Sequence, residues 1–110
     1  MSSSIRENPI VVDAALRALG ERIATARVRR GLRLQDIATR SELSINTVRA
    51  VEAGVAGTGI GALARVLWVL GLLPHLDLVA EPGIDREGLV LDLARHGRRA
   101  SPPISVSNDF

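Results

Sequence analysis

Asn46 and Arg49 stand three residues apart, flanked by Ser44, Ile45 and Thr47. A carboxamide and a guanidinium can each make two parallel hydrogen bonds to one planar partner. Asn fits the adenine edge, Arg the guanine edge, and an aliphatic side chain such as Ile45 can touch a thymine methyl. That is the chemistry of reading a surface, not of making or breaking bonds. Residues for bond chemistry are sparse. The chain has no cysteine, which excludes disulfides, thiolate zinc sites and a Cys nucleophile. His75 and His96 have neither ligand spacing nor a base–nucleophile set near them. No catalytic residue, metal or cofactor is expected, and the chain reads as a non-enzyme.

The elements that must position these residues lie between Leu34 and Gly54. Ile37 and Ala38 fall one turn in from Leu34, and then Leu43 breaks the spacing. Ser44 can cap a second helix by accepting from the backbone N–H of Asn46 or Thr47. Its inner face would be Val48 and Val51, and its outer face Ile45, Asn46, Arg49 and Ala50. Thr39 to Leu43 is left as a tight corner. Two short helices across such a turn form the helix-turn-helix pattern, whose second helix suits a DNA major groove.

Composition narrows the rest. The chain has 110 residues, 46% of them hydrophobic but only 2% aromatic. One domain with a Leu, Val, Ile and Ala core fits packed helices better than a sheet. Met1 to Pro9 lacks the hydrophobic block of a signal peptide, and the apolar run from Ile60 to Leu73 falls well short of the ~20 residues a membrane span needs. A cytoplasmic, nucleoid-associated protein without membrane contact is expected. All 14 basic side chains are arginine. Arg17 to Arg49 contains eight Arg against Glu21, Asp36 and Glu42; Ala50 to Asp92 contains two Arg against six acids. A basic half beside an acidic half suggests two partner surfaces, one of them for a polyanion; a solvated charged face is the plainer alternative.

Taken in order, residues 1–8 read as a flexible start. Pro9 opens a segment in which Asp13 is a plausible helix cap and Leu16, Leu19, Ile23 and Ala26 stand at helical spacing, ended by Gly31. Arg27, Arg29 and Arg30 crowd its last turn, where cations favour the helix dipole and can also meet phosphate. Ala53 to Gly59 is glycine-rich, but no strand precedes it and no Gly-Lys-Ser/Thr follows, so it reads as a flexible connector. Ile60 to Leu70 forms the next helix, closed by Gly71. Leu72 to Ala80 fits a short helix slightly better than a strand. Pro82-Gly83 is a turn, and Asp85 caps a last helix, Arg86 to His96, ended by Gly97. The domain layout is 9–80 for the helix-turn-helix domain, 81–97 for an extension and 98–110 for a polar, Pro-rich flexible tail.

From Leu19 to Leu78 the sequence resembles the Cro/C1-type (XRE) helix-turn-helix family. The resemblance rests on Leu19 to Leu32, Ile37-Ala38, Leu43-Ser44, Thr47-Val48, Val51-Glu52, Gly54 and Leu63 to Gly71. It implies an all-α, five-helix lambda-repressor-like domain with a C-terminal dimerisation extension, binding double-stranded DNA as a homodimer on a palindromic operator. It further implies Ser44 as cap and phosphate neighbour, Ile45, Asn46 and Arg49 as base readers, and Thr47 as a phosphate contact. Arg27 and Glu52 match a partly buried salt bridge that ties the first helix to the recognition helix. Three positions depart from the pattern. Arg33 replaces the Thr/Ser cap, Leu34 replaces a phosphate-holding Gln (leaving Gln35 or Arg33 to substitute), and Glu42 replaces the turn Gly, so it must turn left-handed or reshape the corner.

A narrower resemblance is to HipB-type regulators, antitoxin partners of HipA-type kinases. It rests on Asn8-Pro9, Ile60-Gly-Ala-Leu63, Leu70 to Leu78 and the basic tail. It implies an autoregulating repressor with a HipA-type toxin as protein partner.

Each bidentate base contact discriminates by roughly 1–3 kcal/mol, whereas specific binding needs about 4–10 kcal/mol over background. One helix with three readers falls short, and two copies about a dyad suffice. Arg22, Arg29, Arg30, Arg33 and Arg40 are candidate phosphate contacts, and Trp68, Leu72, Leu73, Leu76 and Leu78 the candidate dimer surface. The rival reading is a protein-interaction module, with DNA secondary and Phe110 as a possible anchor. Arg98-Arg-Ala-Ser101 also resembles a basophilic kinase site, a string short enough to arise by chance.

Overall fold

Pro9, rather than Asp13, opens the first helix. The computed structural model describes residues 7–96, and in it α1 spans Ile10–Arg29. The Pro9 ring holds φ at −54°, and its carbonyl accepts the N–H groups of Val12 and Asp13 at 2.9 and 3.2 Å. Asp13 therefore sits inside the first turn, where its carboxylate accepts from Asn8 Nδ2 at 3.3 Å. The helix ends where expected: Gly31 is left-handed (φ 67°), and Leu32 N–H returns to the Arg27 carbonyl at 3.2 Å.

Four more α-helices follow: α2 Leu34–Ser41, α3 Ile45–Ala53, α4 Ile60–Leu70 and α5 Arg86–His96, with a 3-10 helix at Leu73–Leu78. The described residues contain no strand, so this part of the chain is all-α. No helix among them is long and apolar enough to cross a membrane. Leu72 to Ala80 is neither strand nor α-helix. Pro74 offers no N–H in that short run, and the backbone winds into the tighter 3-10 form that such connectors adopt.

The expected corner at Thr39 to Leu43 is shorter than the sequence suggested. α2 continues through Ser41, which is buried and donates its hydroxyl to the Ile37 carbonyl at 2.6 Å. Ile37, Ala38 and Ser41 thus share the inner face, and only Glu42, Leu43 and Ser44 make the turn. Glu42 takes the left-handed conformation (φ 60°, ψ 39°), which costs a side-chain-bearing residue roughly 1–2 kcal/mol.

The chain divides into two compact units at Leu76/Asp77. In the first, α3 packs on α1, α2 and α4, and α4 also meets α1 and α2. Their shared core is Ile23, Ile37, Ala38, Val48, Val51, Val66, Leu67 and Leu70. These are all aliphatic, so tightness must come from close helix approach rather than from large rings. Gly20 and Gly54 supply it. A β-carbon at Gly20 would strike the Glu52 carbonyl and lie 2.8 Å from the Gly54 nitrogen; one at Gly54 would strike the Leu16 carbonyl. Gly54 also ends α3 in the left-handed region (φ 71°), so no other residue meets both demands. It is a fixed point of contact, not part of a loose connector.

In the second unit, Pro82-Gly83 lies in a turn. Asp85 caps α5, its Oδ1 accepting the Gly88 N–H at 3.0 Å. None of the α5 residues is buried. The expected stop at Gly97, the tail 98–110 with Ser101 and Phe110, and residues 1–6 of the flexible start lie outside the described residues.

Gly20→Ala is expected to push α1 off α3 and to lower unfolding free energy by about 1–3 kcal/mol. Urea denaturation followed by circular dichroism measures it; an unchanged midpoint would contradict the close-contact assignment.

Candidate functional site

Ser44 starts α3 as its sequence position suggests. Its Oγ accepts the Thr47 N–H at 3.1 Å and lies 2.9 Å from Thr47 Oγ1. With Val48 and Val51 buried below, the exposed side of α3 presents Asn46 and Arg49. These two meet: an Arg49 N–H donates to Asn46 Oδ1 at 3.2 Å. The contact fixes which way the carboxamide faces and leaves Asn46 Nδ2 free to donate. The second lone pair of Oδ1 can still accept from a base, so the pair can act as one planar edge.

Ile45 sits differently from its two neighbours. It is half-buried and packs against the core, so only part of its surface faces outward. Thr47 is half-exposed beside Ala50, and with Asn46, Val55, Gly57, Thr58 and Gly59 they line an open hollow between α3 and the following loop.

The helix before the turn is held at its start by a residue the sequence reading passed over. Arg33 precedes α2 but has no acceptor to cap it, as its side chain suggested. Asp36 does the work from inside: its carboxylate accepts the Arg33 backbone N–H at 2.8 Å and pairs with the guanidinium at 3.3 Å. The backbone bond, then the Arg33 side-chain bond, holds the Asp36 carboxyl below its ordinary range. An acidic residue three positions after the cap was the available signal.

Of the cationic candidates, Arg22, Arg29 and Arg40 are exposed and make no side-chain hydrogen bond or ion pair among the described residues. Arg30 folds back to the Ala26 carbonyl at 2.8 Å. Arg33 is engaged with Asp36, and Gln35 donates to Thr39 Oγ1 at 3.2 Å. On the candidate dimer surface Trp68 is 60% exposed and Leu73 also exposed, while Leu72 and Leu76 pack partly on the core. Leu78 belongs to the second unit.

Arg27 and Glu52 form an ion pair that is withdrawn from water, with side chains 15% and 10% accessible. The guanidinium donates twice to Glu52, at 2.7 and 3.1 Å, and once to the Leu32 carbonyl at 2.9 Å. The hydrogen bonds to Glu52 push the Arg27 pKa up, against the opposing effect of burial. One fork thus joins the end of α1, the start of the α2 approach and the last turn of α3. It fixes where α3, and so Asn46 and Arg49, stand relative to α1.

Glu52→Gln keeps the shape but leaves the Arg27 charge short of its counter-ion. A loss of about 3 kcal/mol in unfolding free energy is expected, at the low end for a broken buried pair because the Leu32 carbonyl remains. Chemical denaturation checks it; a loss within the error of the measurement would mean that the pair does not hold the helices. Comparison with protein-family models, curated proteins and solved structures found no match, so the side chains themselves are the guide to what the site does.

Proposed function

We propose that the chain is a sequence-specific DNA-binding regulator of the Cro/C1 type, acting as a homodimer on a palindromic operator. The observation that carries this reading is the Asn46–Arg49 pair, exposed on a capped helix whose opposite face is locked into the core. A carboxamide and guanidinium held side by side match adjacent base edges in a major groove: Asn46 on adenine, Arg49 on guanine, and the outer part of Ile45 on a thymine methyl. Arg22, Arg29 and Arg40, without partners among the described residues, supply phosphate contacts that position the helix without reading sequence. The Ser44 and Thr47 hydroxyls, bonded to each other, leave one neutral donor at the same end of α3.

Dimerisation brings two such helices about 34 Å apart on one DNA face. Exposed Trp68 and Leu73, with the partly exposed Leu72 and Leu76, offer an apolar surface for that contact. The regulator represses its own gene in this reading, as the resemblance to HipB-type proteins implies.

Arg49→Ala is expected to relax preference at one base position, lowering the affinity ratio of a duplex selected from a random pool over its scrambled form by about tenfold or more. Fluorescence anisotropy at fixed salt reads the ratio. Equal loss on both duplexes would remove Arg49 from the base-reading set.

A second reading, binding of a HipA-type toxin, is favoured by α5. Leu89, Val90, Leu91 and Leu93 are 53–63% exposed there, an apolar display suited to a protein partner. Leu89→Glu with Leu93→Glu is expected to abolish co-elution with a HipA-type kinase while sparing duplex binding; unchanged co-elution would exclude α5 from such a contact.

A further inference from the structure

Arg65 is the single charge within α4, an otherwise apolar or small-residue helix. Among the described residues its guanidinium does not pair with a carboxylate. It reaches across to α2 and donates to the Ser41 carbonyl at 3.1 Å in a half-buried setting. Ser41 is the last residue of α2, and its carbonyl receives no backbone N–H. The backbone instead turns left-handed at Glu42 and sends the Glu42 and Leu43 N–H groups to the carbonyls of Thr39 and Ala38, at 3.4 and 3.1 Å. A carbonyl exposed at a helix C-terminus carries partial negative charge, and a cation there is the matching donor.

We infer that Arg65 is a positioning residue for the reading helix: by holding the Ser41 carbonyl it clamps the left-handed Glu42 turn and so sets the angle at which α3 leaves α2. The consequence for DNA rests on the function proposed above; the clamp itself does not. Where glycine occupies such a turn the left-handed backbone needs no support. Here the residue is Glu42, and the support comes from outside the two helices. The Glu42 carboxylate is exposed and forms no ion pair among the described residues, so its own side chain does not hold the turn. Arg40, Ser41, Glu42, Arg65 and Trp68 surround one hollow beside this contact, which leaves room for the guanidinium to be replaced without a clash.

The test compares Arg65→Met, which keeps the apolar stem but removes the donor, with Glu42→Gly and the double variant. Amide hydrogen exchange by NMR reads the turn without any DNA. Arg65→Met is expected to speed exchange of the Glu42 and Leu43 amides by about tenfold, leaving the Val48 and Val51 amides unchanged. Adding Glu42→Gly is expected to restore most of the protection. Equal acceleration at Val48 and Val51, no acceleration at the turn, or no restoration by glycine would each overturn the clamp. Should Arg65→Met fail to fold, recovery of folding in the double variant supports the assignment, and failure of that variant too overturns it.

The second arm measures the affinity ratio of the pool-selected duplex to its scrambled form. Arg65→Met is expected to lower this ratio and the double variant to recover it. A chain that selects a duplex yet keeps the full ratio in Arg65→Met contradicts the positioning role. If the unsubstituted chain selects no duplex, the DNA-binding proposal falls, while the exchange arm still decides whether Arg65 holds the turn.

Discussion

The forked hydrogen bonding of Arg27 to Glu52 is the interaction on which the first unit depends. It and the Gly20–Gly54 contact grip the same last turn of α3 from different points along α1. Between them, α1 and α3 are held by a charged clamp and by backbone touching backbone. The core they enclose is small and entirely aliphatic, and aliphatic side chains alone tolerate sliding and repacking. A directional ion pair and a contact that admits no β-carbon do not. The helix that carries Asn46 and Arg49 is therefore oriented by elements on its inner side, leaving its outer side free of structural duty.

The same economy explains the turn. Ser41 satisfies its buried hydroxyl within α2, Asp36 holds the start of that helix, and Arg65 meets its last carbonyl from α4. Three departures from the helix-turn-helix pattern, at Arg33, Leu34 and Glu42, thus have answers within the first unit. The cap is supplied from the third residue of the helix, and the left-handed turn is supported by a distant guanidinium. Leu34 packs partly on the core, which suits its side chain better than contact with an anion.

Much of this was legible in the residues. Helix faces at Ile37, Ala38, Val48 and Val51, the Ser44 cap and the glycines ending α1 and α4 follow from periodicity and capping rules that act over a few residues. The start of α1 was misplaced because an acidic residue in a first turn looks like a cap, whereas Pro9 defines the start through its carbonyl and fixed φ. The role of Gly20 was hidden because a glycine within a helix carries no sign of what lies across from it. Arg65 was hidden for the same reason: its acceptor is a backbone carbonyl 24 residues away in sequence. Half-burial of Ile45 follows from the tilt of α3 on the core, a tertiary quantity. Of the candidate site, Asn46 and Arg49 were readable as exposed neighbours, but not as a hydrogen-bonded pair.

The measurement that tests the central claim most directly is anisotropy of the pool-selected duplex and its scrambled form, titrated with the unsubstituted chain at two salt concentrations. Reading by an oriented α3 predicts that the selected duplex binds more tightly at both. Salt should weaken both complexes through the arginine–phosphate contacts, while the ratio between them persists because base-edge contacts release few counter-ions. Identical affinity for the two duplexes, abolished together by salt, would contradict the account: the basic surface would then be a polyanion patch, and the Asn46–Arg49 pair would read nothing.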